Sequence, residues 1–267
     1  MQVVRQRDGA TALIYNERGG VQSVSRPGNA LNRSDYYDDY LLIPFLTATP
    51  RRVAVLGSAG GTIPHLLSVY DKMYFPAMNV TGVKIDPSVI PLGYRYFGLK
   101  PTDATVVNED ARMFIRQPGK QFDIVIVDAY INEIYIPPHM ITKEFFQEIR
   151  YRLTPDGVVA LNLNVTNPKS PMLKAFEKTL TTVYPDVYRV KARGDFNYLL
   201  IGAQHPLTTR AFRRISAASP LESIADEWPS SLQPLTNAVV DGSMLLTDNH
   251  ASVEMLTDSM VFAYDRN

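Results

Sequence analysis

The stretch Arg51-Arg52-Val53-Ala54-Val55-Leu56-Gly57-Ser58-Ala59-Gly60-Gly61-Thr62-Ile63 decides the fold. Val53 to Leu56 is a short apolar run, which reads as a buried strand. Gly57 to Gly61 is a turn of small residues, and Thr62-Ile63-Pro64-His65-Leu66-Leu67 reads as a helix start. Strand, small-residue turn and helix together let a ligand come close to the backbone. Outward from there, Asn79 to Val83 is a second strand that runs into Lys84-Ile85-Asp86-Pro87. Ala104 to Asn108 is a third, followed by Glu109-Asp110, and Phe122 to Val127 is a fourth, which delivers Asp128. Glycines and polar residues therefore recur at four strand ends. In an open α/β sheet that edge is where ligands bind.

Helices separate these strands. Asp86 reads as a cap with Pro87 at the first helical position, opening a helix to about Phe97. Ala111 to Arg116 is a short helix, and Thr142 caps another that runs to Leu153 and stops at Pro155-Asp156-Gly157. Val158 to Leu163 is the fifth strand, Pro171 to Tyr184 a helix, and Val187 to Val190 and Tyr198 to Gly202 the last two strands. The pattern predicts an α/β, doubly wound, mostly parallel seven-stranded sheet over residues 51–205.

The flanks differ in texture. Thr11 to Tyr15 and Val21 to Val24, joined by the turn signal Asn16-Glu17-Arg18-Gly19-Gly20, predict a hairpin in a β-rich N-terminal unit, residues 1–50. Ser34-Asp35-Tyr36-Tyr37-Asp38-Asp39-Tyr40 then leads into Leu41 to Leu46, with Ser34 or Asp35 as a helix cap. The plain reading of its two acids is a solvated helix face with half-buried tyrosines. Residues 206–267 read as a tail packed on the sheet. Within it Thr208 to Ala218 looks helical, Pro229 to Pro234 turn-rich, and Ala251 to Leu256 a short helix.

Composition narrows the function classes. Apolar residues make up 45%, enough for a large core, and 27 basic residues balance 27 acidic ones, so bulk charge gives no reason to expect nucleic acid. There is no cysteine, and the four histidines form no ligand-spaced pair, so no metal is expected. No apolar run reaches transmembrane length and no leader h-region opens the chain, so the expectation is a soluble cytoplasmic protein with no membrane partner. The Gly57–Gly61 turn lacks the lysine and hydroxyl residue of a phosphate-binding loop, which argues against nucleoside triphosphate hydrolysis.

The order Val53–Thr62, Val80–Pro87, Asn108–Arg112, Asp123–Asp128 and Thr142–Leu163 resembles the spermidine synthase family, a branch of the S-adenosylmethionine-dependent methyltransferase fold. The likeness covers roughly residues 10 to 205 and includes the hairpin; Leu246-Thr247-Asp248-Asn249 with Glu254 in the tail adds to it. It implies transfer of an aminopropyl group from decarboxylated S-adenosylmethionine to a polyamine, without a metal, by a homodimer. It places Gly57, Ala59, Gly60 and Gly61 in the nucleoside loop, with Lys84 and Asp86 at the ribose and Glu109 and Asp110 near the adenine. Asp128 matches the acid that helps deprotonate or orient the attacking amine. Tyr37 and Asp38 close the site from the N-terminal side. Tyr130 and Glu133 lie in a segment, Tyr130 to His139, that covers it, where Glu133 supplies an acid for the polyamine.

Three positions depart from the family pattern. Lys84 stands where a glutamate holds the ribose hydroxyls, Gly60 where an aspartate is usual, and Ile131 where a second acid follows Asp128. Each loss removes negative charge from a site for cations, and an ammonium adds repulsion on the order of 1–4 kcal/mol at about 4 Å. Three classes therefore stay open: an aminopropyltransferase with altered specificity, an enzyme of the methyltransferase fold that uses intact S-adenosylmethionine, and a non-catalytic nucleoside-binding relative.

Overall fold

The computed structural model describes residues 1–15, 20–31, 35–130, 135–194, 196–236 and 242–264. Its centre is an eight-stranded sheet built from β4 (Arg52–Leu56), β5 (Asn79–Lys84), β6 (Thr105–Asn108), β7 (Phe122–Val127), β8 (Leu153–Asn164), β9 (Asp186–Lys191), β10 (Asn197–Ala203) and β11 (Gln233–Leu235). The spatial order is β11-β9-β10-β8-β7-β4-β5-β6. β8, β7, β4, β5 and β6 run parallel to their neighbours, whereas β10 pairs antiparallel with β8 and β9, and β11 antiparallel with β9. The seven strands expected from the sequence are all present. The eighth, β11, comes from the tail, at the end of the stretch read as turn-rich.

β4 explains why both faces carry helices. Val53 and Val55 face one core cluster, Ala54 and Leu56 the other, and all four are buried. Alternation with both sides apolar marks a strand covered on both faces. On one face lie α1 (Thr62–Tyr70), the 3-10 segment Tyr36–Leu46 and α6 (Glu222–Ser231). On the other lie α3 (Ala111–Arg116), α4 (Lys143–Arg152), α5 (Pro171–Val183) and α7 (Val253–Tyr264). α2 (Val89–Tyr96) meets the N-terminal sheet through Val89, Phe97 and Leu13.

The N-terminal unit is a three-stranded antiparallel sheet, β1 (Gln2–Arg5), β2 (Thr11–Ile14) and β3 (Val21–Ser25). The hairpin read from the sequence is β2–β3, with a third strand added at its edge; residues 16–19 of its turn lie outside the described residues. It docks on the glycine turn. The Gly60 N–H donates to Ser23 Oγ (2.8 Å), and Thr62 Oγ1 both accepts from Val24 N (2.9 Å) and donates to Val24 O (2.9 Å).

Several local readings are corrected. The tyrosine–acid stretch is not a solvated face: Tyr37, Asp38, Asp39 and Tyr40 are all buried. Asp39 accepts from Trp228 Nε1 (2.7 Å) and from Arg193 N (2.7 Å), so it is a structural acid that ties α6 to the centre. Asp35 makes no side-chain cap; its carboxylate takes Arg26 instead, and Ser34 lies outside the described residues. Asp86 accepts from Ser88 N and Ser88 Oγ, forming a turn that delays α2 to Val89. In the tail, the segment from Thr208 yields only a 3-10 turn at Arg210–Arg214, while α6 runs through Pro229.

Candidate active site

The parallel strands diverge from β4. The chain passes to β5 and β6 on one side and to β7 and β8 on the other, so the carboxyl ends of β4 and β7 flank a topological switch point, where α/β sheets bind ligands. A cleft of about 170 Å³ opens there. Gly57, Ala59, Lys84, Asp86, Glu109, Asp110, Asp128 and Tyr130 all line it. The convergence of these strand-end residues is what their sequence positions predicted.

Gly57 closes the gap between the two central strands. Its φ is 89°, and a Cβ there would come within 2.5 Å of the Ala129 Cα and the Asp128 carbonyl oxygen. Only glycine permits both the left-handed conformation and that approach. The Asp128 N–H donates to Leu56 O (2.9 Å), which fixes the acid beside the turn. Gly61, with φ of 92°, opens α1, and a Cβ would strike Leu99. Neither Gly60 nor Gly61 lines the cleft; Gly60 faces Ser23 and Phe97.

Asp128 sits in a ring of phenols. Tyr36 donates its hydroxyl proton to the carboxylate, 3.0 Å to Oδ2 and 3.3 Å to Oδ1, and Asn162 Nδ2 donates to Oδ1 (3.0 Å). Burial pushes the Asp128 carboxyl up to about 6, against the two hydrogen bonds, which favour the ionised form. The phenols of Tyr36, Tyr37, Tyr40 and Tyr130 are all pushed up, first by burial and second by the charge of Asp128. Four neutral tyrosines thus surround one acid that titrates close to neutrality.

Tyr36 makes the contact with Asp128, and Tyr37 packs on the Tyr36 ring at 4.2 Å between centroids. Tyr37 and Asp38 line a separate small cavity between the N-terminal sheet and α1, beside Thr62 and His65. Tyr130 presents its side to the cleft, but its hydroxyl is bound to β8, donating to Asn162 O (3.1 Å) and accepting from Asn164 N (3.0 Å). Ile131 and Glu133 lie outside the described residues.

The β5 end is differently built. Lys84 is 4% exposed, and its Nζ donates to Ala59 O at 2.6 Å. Ala59 has φ of 36°, a conformation that side chains disfavour, so the ammonium braces a strained point of the turn. Burial brings the Lys84 amine down to about 8. Among the described residues no carboxylate lies within salt-bridge distance of it, Asp86 included. Asp110 caps α3, accepting from Arg112 N (3.0 Å) and Met113 N (2.9 Å) with Oδ1, while Oδ2 takes His139 Nε2 (3.0 Å). Burial pushes the Asp110 carboxyl up, but the Met113 N–H, His139 and the Arg112 N–H outweigh it and hold the group below its usual range. Glu109 accepts from Gln117 Nε2 (2.6 Å). No group of three potential metal-ligating side chains occurs among the described residues.

Sequence reasoning missed Tyr36, Asn162 and His139. Asn162 carried a usable signal: a polar residue inside the apolar run Val158–Leu163 needs a buried partner. His139 follows two prolines and carried none.

A parallel sheet with a small-residue turn, a cleft at its switch point and an acid at the end of β7 defines a protein of the methyltransferase-like α/β class. More narrowly, the chain belongs to the spermine/spermidine synthase family, whose domain matches residues 37–192. It is 34% identical over 182 residues to a probable polyamine aminopropyl transferase of Bifidobacterium longum, covering 68% of this chain and 39% of that one. It is 28% identical over 218 residues to the polyamine aminopropyltransferase of Vibrio vulnificus, covering 78% of this chain and 70% of that one. The crystal structure of a probable spermidine synthase from Corynebacterium glutamicum superposes with a TM-score of 0.68 over 92% of both chains, at 18% identity, a likeness of fold. The chain spans well under half the length of the Bifidobacterium relative.

Proposed function

We propose that this chain transfers an aminopropyl group from decarboxylated S-adenosylmethionine to an amine acceptor, with a donor site altered by Lys84. The observation that carries the reading is Asp128: an acid beside the cleft, held by Tyr36 and Asn162, and raised to about 6. The acceptor amine is protonated near neutral pH, with a lysine-like pKa of about 10, and so has no lone pair. The Asp128 carboxylate accepts its proton, and the freed nitrogen attacks the carbon next to the sulfonium. A C–N bond forms, the C–S bond breaks, and its electron pair leaves sulfur neutral in methylthioadenosine. Tyr36 and Asn162 keep the carboxylate aimed through this step. Such base catalysis is typically worth about a hundred- to ten-thousand-fold.

On this reading the donor's nucleoside lies across Gly57, Ala59, Lys84 and Asp110. Lys84 has no acceptor for ribose hydroxyl protons; its remaining N–H groups can donate to the hydroxyl oxygens, and Asp86, which also lines the cleft, can replace the lost acid. The family resemblance supports a cytoplasmic homodimer. A second reading, methyl transfer from intact S-adenosylmethionine, is favoured by Lys84, since a donor that keeps its carboxylate would meet a cation in the cleft, and by a 28% identity over 173 residues to the eEF1A lysine and N-terminal methyltransferase of Bos taurus.

The test incubates purified protein with either donor and putrescine, cadaverine or spermidine. Methylthioadenosine from the decarboxylated donor supports aminopropyl transfer. S-adenosylhomocysteine from the intact donor would replace it with methyl transfer, and no product from any pair would leave a binding protein.

A further inference from the structure

The tail motif Leu246-Thr247-Asp248-Asn249 takes no part in the chemistry above, yet Arg112 ties it to His139, which lines the cleft. Arg112, two residues after Asp110, is buried at the start of α3. A guanidinium has five N–H donors, and here each has an acceptor. Nε donates to Glu148 Oε2 (2.9 Å) and Nη2 to Glu148 Oε1 (2.8 Å). Nη2 also donates to Asp248 Oδ2 (2.8 Å), and Nη1 to Asp248 Oδ1 (2.7 Å). The last N–H, on Nη1, goes to the His139 carbonyl (2.9 Å). With every donor used inside the protein, Arg112 has none left for a substrate.

The motif itself is seated by backbone and side-chain bonds. Lys143 N donates to Leu246 O (2.8 Å), Leu246 N to Thr179 Oγ1 (3.1 Å), and Asp248 N to Glu144 Oε2 (2.9 Å). Thr142 Oγ1 donates to Asp248 Oδ1 (2.6 Å) while capping α4 through Phe145 N. A continuous chain of contacts therefore runs from Asp248 through Arg112 to the His139 backbone, and from the His139 imidazole to Asp110 Oδ2 in the cleft.

We propose that Asp248 is a positioning residue: through Arg112 it sets where His139 stands against Asp110, and so fixes the nucleoside end of the cleft. This rests on the reading that a nucleoside binds there. Asp248→Asn keeps one acceptor oxygen but sets an amide NH2 against the other Arg112 N–H, so one donor of a buried guanidinium loses its acceptor and the pair loses its charge, which forces Arg112 to re-pair and loosens its hold on the His139 carbonyl. Asp128, on the other side of the cleft, is untouched.

The experiment compares wild-type protein, Asp248→Asn and Asp248→Glu, with His139 signals assigned from His139→Gln. Nuclear magnetic resonance follows the His139 imidazole, and calorimetry follows methylthioadenosine. We expect Asp248→Asn to melt cooperatively, to shift the His139 signals toward those of a free imidazole and to weaken methylthioadenosine at least about fivefold. In turnover it raises the donor KM with little change in kcat, and Asp248→Glu restores part of the affinity. Should Asp248→Asn not melt cooperatively, Arg112→Lys takes its place, because it keeps the charge and removes the fork. Unchanged His139 signals in a folded variant overturn the proposal. If the wild-type protein binds no nucleoside, the functional reading falls, and the histidine signals alone decide whether Asp248 positions His139.

Discussion

The two sides of the cleft are built on opposite principles. At the end of β7 an acid is retained and enclosed: Asp128 has two hydrogen-bond donors, four neutral tyrosines in its field, and a pKa raised toward neutrality. At the end of β5 stands a cation, Lys84, which is turned onto the protein's own turn at Ala59. On the proposed reading, the first side serves a proton transfer. The other presents an ammonium that braces a strained loop. On that reading, chemistry at the acceptor persists while recognition of the donor changes, because the two depend on different strands.

The largest expected effect separates them most sharply. Asp128→Asn keeps the shape and the Tyr36 contact but cannot take a proton. Turnover should fall by at least about a hundredfold, with methylthioadenosine binding within about twofold of wild type by calorimetry. A comparable loss of binding would show that the two sides are not independent.

Tyr36→Phe comes next. It removes a hydrogen bond to the ionised carboxylate, and such bonds are worth roughly 1.5–3 kcal/mol, so kcat should drop by about tenfold or more at pH 7. Because that bond favours the charged form, its loss raises the Asp128 pKa, and the activity lost should be partly recovered at higher pH. Tyr37→Phe should do less, since Tyr37 reaches Asp128 indirectly, through its hydrogen bond and ring contact with Tyr36 and through the Asp128 field.

The smallest effect belongs to Lys84→Met. Methylthioadenosine should bind several-fold more weakly, because Ala59 loses its brace. Stability carries a separate signature. Burial depresses the folded-state pKa of Lys84 to about 8, from an unfolded value of about 10.4. Below pH 8 the buried charge costs stability in full; between the two values the unfolded chain binds more protons, so wild type gains stability as pH rises. Thermal melts from pH 7 to 10 should therefore show wild type gaining on the methionine variant. Parallel curves would mean that the amine is not depressed.

Much of this was legible in the sequence for a definite reason. β4 and β7 are apolar runs buried on both faces, so their identity does not depend on distant partners, and the residue after each is necessarily at the sheet edge. The failures are long-range. α6 was missed because Pro229 reads as a breaker, whereas the helix is held by Trp228 donating to Asp39 from far along the chain. The choice between Tyr36 and Tyr37 depends on a 3-10 segment, whose period of about three residues turns side chains differently from an α-helix, and no local pattern announced it. Asp39 looked like surface because its partners, Arg193 and Trp228, are remote. Lys84 showed its sequence oddity at once, but only its contact with Ala59 showed what the ammonium does.

The claim that Asp128 is the base is tested most directly by the pH dependence of turnover at limiting amine, from pH 5 to 9. If the carboxylate takes the proton, the protonated amine is the substrate. The wild-type rate then rises through about pH 6, the Asp128 value, and levels off above pH 7, while the amine is still fully protonated. In Asp128→Asn only the scarce neutral amine can react, so its much lower rate should climb about tenfold per pH unit toward the amine pKa of about 10. A wild-type rate that climbs in that same way to pH 9, with no plateau, would contradict the account.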